Sequence, residues 1–176
     1  MTKALVVIDV QKAMFEIPEF VPLDGEAVVD RIAMLIAAAR GAGTLVFFVQ
    51  HDGGPEDPFH PGKPGFAFHD KLAPQATDDV TVKYRGSAFN GTDLDAKLKK
   101  AGVGTVVICG MQSEYCVDSA VRGAVEHGYK VVLVADGHST FDTKVLKAAD
   151  IIAHENETLG GSYAEIVPAA QVVFSG

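Results

Sequence analysis

The segment Gly102–Gly137, GVGTVVICGMQSEYCVDSAVRGAVEHGYKVVLVADG, restricts this chain to one class of fold. Thr105–Cys109 is an unbroken apolar run rich in β-branched residues, the mark of a strand covered on both faces. Gly110 interrupts it. Val117, Ala120, Val121, Ala124 and Val125 then recur at helical spacing from a start near Ser113, and Gly128 supplies the residue that ends the helix. A second run, Val131–Ala135, closes the unit at Asp136. A strand, a crossover helix and a second strand form the repeating piece of a parallel sheet.

Cys116 falls in the first turn of that helix, just past the carboxyl end of a buried strand. Unpaired N–H groups and the dipole at a helix N-terminus stabilise a thiolate, so the position predicts a lowered thiol pKa. The same N–H groups can receive the oxygen of a carbonyl under attack. Ligands of open α/β sheets bind outside the carboxyl ends of the strands, where this thiol would lie. A free cysteine is also a common small apolar filler, so the position alone leaves both roles open.

The rest of the chain repeats the alternation. Ala4–Ile8 reads as a buried strand with Asp9 at its carboxyl end, followed by a helix from an Asp24 cap through Arg40 that ends at Gly41 or Gly43. Thr44–Gln50 and Val80–Lys83 are the next strands. Thr92 caps a helix with Asp95 at capping-box distance, Leu94 and Leu98 facing inward, and Gly102 at its end. Phe141–His154 reads as a helix burying Val145, Leu146, Ala149 and Ile152, then Tyr163–Val167 as a last strand and Ala169–Phe174 as a closing turn or helix. Asp136 reads as a helix cap or turn residue. The expected architecture is one domain over residues 1–176: a doubly wound, Rossmann-like α/β fold with a six-stranded, mostly parallel sheet and helices on both faces.

Regularity stops between His51 and Asp78, where five of the eight prolines fall with Gly53, Gly54, Gly62 and Gly65. A loop of that length inside a compact domain reads as a lid or binding loop, with Phe59, Phe66 and Phe68 pinning it to the body or walling a pocket. A hydrophobic fraction of 48% supports a folded globule, and a net charge of −8 makes nucleic acid and anionic membrane poor partners. The longest apolar run, Ile32–Ala39, is too short to span a bilayer. No signal-peptide core fits before the first strand, and Cys109 and Cys116 do not resemble a disulfide framework. A cytoplasmic location follows as an expectation.

Asp9, Lys83 and Cys116 follow the first, third and fourth strands, and in a doubly wound sheet such ends can converge on one crevice. A carboxylate, an ammonium and a thiol brought together make an activated nucleophile. Taken singly, Asp9 reads as a turn residue and Lys83 as a surface charge; together they point to a site.

The stretches ALVVIDVQKAMF, VKYRGSAFNGTDLDAKL and CGMQSEYCVDSAVRGAVEHGYKVVLVADG resemble the isochorismatase-like cysteine hydrolases, a family that includes nicotinamidases and N-carbamoylsarcosine amidase, and the resemblance covers nearly the whole chain. It implies a catalytic triad of Asp9, Lys83 and Cys116. The family carries a non-proline cis peptide before its nucleophile. The resemblance puts that bond at Met111–Gln112 and makes the Gln112 and Cys116 N–H groups the oxyanion hole. Isochorismatases proper, which cleave a vinyl ether, lack the cysteine, so Cys116 points to C–N hydrolysis of a small amide or ureido substrate through a thioester. Phe15, His51, Phe89 and Tyr115 are candidate pocket walls, and Gln11, Ser87 and His138 candidate polar contacts.

Nicotinamidases carry an Asp-x-His metal motif after the second strand. Here the text reads QHDGGPEDPFH, with His51 in the aspartate's place, so neither a metal nor another cofactor is expected, although Asp52, His60 and His69 offer ligand atoms. The alternatives are a metal-assisted nicotinamidase and a non-catalytic binding or regulatory domain of the same fold. Family members are commonly dimers or tetramers, and a lid bearing three phenylalanines suits cover by a neighbouring subunit, so a homo-oligomer with the lid in its interface is also expected.

Overall fold

The computed structural model describes residues 2–174. Six strands form one sheet: β1 (Thr2–Ile8), β2 (Leu45–His51), β3 (Asp79–Lys83), β4 (Val103–Met111), β5 (Lys130–Ser139) and β6 (Glu165–Val167). Their order is β3-β2-β1-β4-β5-β6, and every pairing is parallel. The chain winds outward from β1 through β2 to β3, then returns to β4 on the other side of β1. The switch point therefore lies between β1 and β4, where the carboxyl ends diverge and leave a crevice.

Side-chain alternation along β1 builds both cores. Ala4, Val6 and Ile8 pack with Val106, Ile108, Leu94, Leu98, Ala120, Val121 and Leu159, beneath α3 (Leu94–Lys100), α4 (Asp118–Glu126) and α5 (Ala148–Ser162). Leu5 and Val7 face the other way, onto Val28, Val29, Ile32 and Ile36 of α2 (Gly25–Gly41). A four-residue helix, α1 (Ala13–Glu16), precedes α2 and carries the wall of the crevice. Gly110 is demanded by the switch point: its φ is 129°, and a Cβ there would lie 2.1 Å from the Ile8 carbonyl oxygen.

Several local expectations need correction. The segment 141–147 is not helical. Thr143 instead closes a turn onto Leu146, and Asp142 accepts the Ala148 N–H at 2.9 Å, so the helix starts at Ala148. Val145 and Leu146, expected inside, are exposed. Asp24 adopts a left-handed φ of 50° and makes no capping hydrogen bond. The Asp95 carboxylate accepts from the Tyr129 hydroxyl and Lys99 instead of returning to the cap. Asp136 sits inside β5, which runs on to Ser139, and accepts the Ala169 N–H at the 3₁₀ turn Ala169–Gln171.

The loop after β2 is folded onto the body. Two 3₁₀ turns, Pro64–Phe66 and Asp70–Leu72, break it up. Lys12 N–H donates to the Ala67 carbonyl, His69 N–H to the Val10 carbonyl, and Gln11 bridges Phe68 in antiparallel fashion. Phe68 packs edge-on against Phe48 with centroids 5.2 Å apart. The three lid phenylalanines, Phe59, Phe66 and Phe68, are each half-buried.

Candidate active site

The strand ends bring Asp9, Lys83 and Cys116 together. Asp9 leaves β1 with a φ of 49°, a conformation uncommon for a residue with a side chain, and its N–H is held by the Val49 carbonyl at 3.0 Å. Lys83 ends β3 opposite His51 of β2, and its long side chain reaches across the end of β2. Its Nζ lies 2.7 Å from Asp9 Oδ2, 3.2 Å from Cys116 Sγ, 3.0 Å from the Arg85 carbonyl oxygen and 3.5 Å from His51 Nδ1. Both Asp9 and Lys83 are fully buried. The 2.7 Å approach is an ion contact without hydrogen-bond angles, so neither carboxylate oxygen has a hydrogen-bond partner. A buried acceptor left in that state calls for an explanation in function.

Cys116 does not sit in a regular first helical turn. After β4 the backbone passes through the cis Met111–Gln112 peptide into a π-helical turn, Ser113–Val117, in which Val117 N–H donates to the Gln112 carbonyl five residues back. The Gln112 N–H takes no partner among the described residues. Beneath the turn, Ser113 Oγ meets His138 Nδ1 at 2.8 Å, and His138 Nε2 meets Asn156 Oδ1 at 3.1 Å. Asn156 Nδ2 donates to the Ala135 carbonyl, which leaves Oδ1 as the acceptor; His138 therefore carries its proton on Nε2 and accepts from Ser113.

The electrostatics reverse one expectation. Burial, reinforced by the adjacent Asp9 carboxylate, pushes the Cys116 thiol up to about 12 against the pull of Lys83, so the resting sulfur holds its proton. Burial also raises Asp9, with Lys83 offsetting part of the shift. For Lys83 burial works downward, but Asp9 and Cys116 outweigh it and hold the ammonium charged. His51 is lowered by burial and then by Lys83, which favours the neutral ring. An ammonium between a thiol and a carboxylate can support proton transfer from sulfur to oxygen as the sulfur attacks an electrophile.

These groups open into a cavity of about 520 Å³ lined by Asp9, Met14, Phe20, His51, Asp57, Pro58, Phe59, Gly86, Gln112, Tyr115, Cys116 and Phe141. A larger depression of about 600 Å³ at Phe47, Asp79, Lys97 and Lys100 lies by the amino ends of β2 and β3, away from this chemistry. Of the residues proposed from sequence as substrate contacts, His51 and Tyr115 reach the cavity. Gln11 is buried and fully engaged with the His51 and Phe66 backbone. Phe15 packs on His69 and Gly25, Phe89 stacks on His127 in the core, and Ser87 accepts the Phe89 N–H. His138 lies under the π turn. Sequence reasoning missed Met14, Phe20, Asp57, Pro58, Gly86 and Phe141; apart from their nearness in sequence to strand ends or the lid, nothing marked them.

Asp52, His60 and His69 do not form a metal centre. His60 Nδ1 is 2.9 Å from Asp52, while His69 Nε2 faces Glu26 at 3.1 Å. Among the described residues no group of three or more His, Cys, Asp or Glu side chains is arranged to hold a metal ion. Nor, among the described residues, is any helix long and apolar enough to cross a membrane.

A doubly wound, all-parallel sheet with a cysteine-bearing turn at its switch point places the protein among the open-sheet α/β folds. The isochorismatase domain model matches residues 3–156, and the chain belongs to the isochorismatase family. Relatives include the isochorismatase family protein YddQ of Bacillus subtilis, 36% identical with 94% of this chain and 96% of that protein covered. A streptothricin hydrolase of Streptomyces noursei is 37% identical with 97% and 64% covered, and the ureidoacrylate amidohydrolase RutB of Methylorubrum extorquens is 29% identical with 77% and 68% covered. Among solved structures, an isochorismatase from Pseudomonas putida superposes with a TM-score of 0.92 at 30% identity, covering 97% of this chain and 90% of that one. A cysteine hydrolase from Pseudomonas syringae gives 0.89 at 25% identity, with 96% and 89% covered. Some relatives are thus amidohydrolases, and this chain is an isochorismatase-family hydrolase.

Proposed function

We propose that this protein hydrolyses the C–N bond of a small amide or ureido substrate through a thioester on Cys116. The observation that carries the reading is the fully buried Lys83 ammonium, 2.7 Å from Asp9 and 3.2 Å from Cys116, just behind the floor of an open cavity. Burying two charges costs several kcal/mol per ion, roughly, unless a function or a very good pairing offsets it. Cys116 attacks the carbonyl carbon while Asp9 takes the thiol proton, and the Gln112 and Cys116 N–H groups receive the developing oxyanion. As the tetrahedral intermediate collapses, Asp9 returns the proton to the departing amine or ammonia. Water then attacks the thioester with Asp9 as base, releasing the acid or carbamate and restoring the thiol. Lys83 keeps Asp9 ionised and steadies the sulfur.

The amidohydrolase relatives support C–N cleavage, and the chemistry needs no metal in this reading. Two unpaired cysteines support a reducing, cytoplasmic setting. A homo-oligomer with part of the lid in its interface remains our expectation, and large apolar side chains left exposed, among them Val21, Leu23, Tyr115, Val145 and Leu146, add surface that a neighbouring subunit could cover. Light scattering should give a multiple of 18.6 kDa at micromolar concentration, and an active monomer would refute it. The function itself is tested by ammonia release from a panel of amides and ureides. Cys116→Ser should lower turnover by at least about a thousandfold while circular dichroism stays unchanged. Wild-type turnover by that variant would exclude Cys116 as nucleophile.

A further inference from the structure

The cavity carries a charge that the bond-breaking chemistry does not require. Asp9, Lys83 and the Cys116 thiol are together neutral. Lys83 is engaged by Asp9, Cys116 and the Arg85 carbonyl, and does not line the cavity. Among the twelve lining residues there is no lysine or arginine; Gly86 contributes to the wall, while its exposed neighbour Arg85 does not. The second lining carboxylate is Asp57, on the lid, and its placement is specified. Asp57 Oδ1 accepts the Phe59 N–H at 2.8 Å, and the missing side chain of Gly53 makes room for it, since a Cβ there would lie 2.2 Å from Asp57 Cγ. Its other oxygen has no hydrogen-bond partner among the described residues. Four aromatic residues, Phe20, Phe59, Tyr115 and Phe141, line the same cavity, and the π face of an aromatic ring attracts cations.

We propose that the cavity selects substrates bearing a cationic group, an ammonium or guanidinium borne on an amide, and disfavours those bearing a carboxylate, with Asp57 as the residue that sets the preference. This rests on the amide-hydrolase reading for the reacting bond but not for the charge preference. A carboxylate entering the cavity would lose water, meet Asp57 and find no lining cation. An ammonium of the same size would pair with Asp57 and lie against the rings.

The preference can be read without turnover. The methanethiosulfonates (trimethylammonio)ethyl and sulfonatoethyl share one reaction: the cysteine sulfur attacks the sulfenyl sulfur, a disulfide forms, methanesulfinate leaves, and the thiol proton passes to base. Cys109 is fully buried, and intact-mass analysis of wild-type against Cys116→Ser confirms the site of reaction. With each rate normalised to that of mercaptoethanol, the cationic reagent should be favoured by at least about tenfold at low salt, as a unit charge inside a partly buried cavity requires. Asp57→Asn should reduce that ratio at least about threefold, whereas Asp150→Asn, an equal charge change on the exposed start of α5, should leave it in place. A normalised ratio near one, no modification by the cation, or a ratio that survives Asp57→Asn would overturn the proposal. In a second arm γ-aminobutyramide and succinamate are compared as substrates. Faster succinamate turnover overturns the charge preference and leaves the hydrolase reading standing. Charge-selective labelling by a protein that hydrolyses no amide supports the preference and refutes the hydrolase reading.

Discussion

Asp9, Lys83 and the turn bearing Cys116 leave three strands of one sheet, whereas Phe20, Asp57, Pro58, Phe59 and Phe141 leave segments that are neither strand nor α-helix. Asp9 and the Cys116 turn form the floor of the cavity with Lys83 buried behind them, and the second group forms its mouth. Strand ends are placed by ladder hydrogen bonds and by two packed cores, so the floor is fixed to the sheet. The mouth is placed by side-chain packing, as in the Phe20–Phe141 pair at 5.6 Å, and by turn hydrogen bonds such as that from Phe59 to Asp57. In the function proposed above, that difference separates chemistry at the floor from selection at the mouth.

Substitutions sharpen that division. Asp9→Asn should lower kcat at least about a thousandfold, because it removes the carboxylate that Lys83 holds beside the thiol. Kinetics on the best amide of the panel check this, and a change confined to KM would move Asp9 out of the chemistry. Lys83→Ala should do nearly as much to kcat and also destabilise the fold by about 3–5 kcal/mol, since Asp9 is left as an uncompensated buried charge. Urea unfolding measures the second effect; an unchanged midpoint would contradict the pairing. At the mouth, Phe141→Ala should raise KM by about tenfold with kcat within a few-fold, the pattern of lost binding uniform to ground and transition states. A mouth variant that lost kcat alone would break the comparison.

The pH dependence divides in the same way. Asp9 must be ionised to accept a proton, and burial raises its pKa above the ordinary 3.8. Activity should therefore fall with pH through a limb above the normal carboxylate range, and kcat/KM that stays flat to pH 4 would argue against Asp9 as base. The smallest effect concerns His138, whose pKa is lowered by burial from 6.5. A depressed folded value gives stability that is present above 6.5 and lost as pH falls through the folded pKa, where the unfolded state binds the proton first. His138→Gln should flatten the urea midpoint between pH 7 and pH 5.

The floor was readable because each of its residues follows a buried strand, and strand runs such as ALVVI and TVVIC are strong signals. Their convergence followed from the topology. The sulfur's protonation was not readable: helix-end reasoning predicted a lowered thiol pKa, but the π turn sinks Cys116 between Asp9 and Lys83, where burial dominates. The mouth was mostly hidden. Val145 and Leu146 imitate a helix face, but turn bonds from Thr143 and Asp142 hold that stretch open. Gln11, Phe89 and His138 lie near strand ends in sequence, yet each faces its own structural partner, the lid backbone, His127 and Ser113. Proximity to a strand end predicts a place in the layer above the sheet; the side chain's direction depends on contacts distant in sequence.

The central claim, an acyl group carried on Cys116, is tested most directly by hydroxylamine trapping. With the best amide of the panel, wild-type protein should form the hydroxamate at the expense of the acid, in proportion to hydroxylamine, and Cys116→Ser should form none. Amide hydrolysis that yields ammonia at the wild-type rate with no hydroxamate at any hydroxylamine concentration, or hydroxamate formed equally by Cys116→Ser, would contradict it.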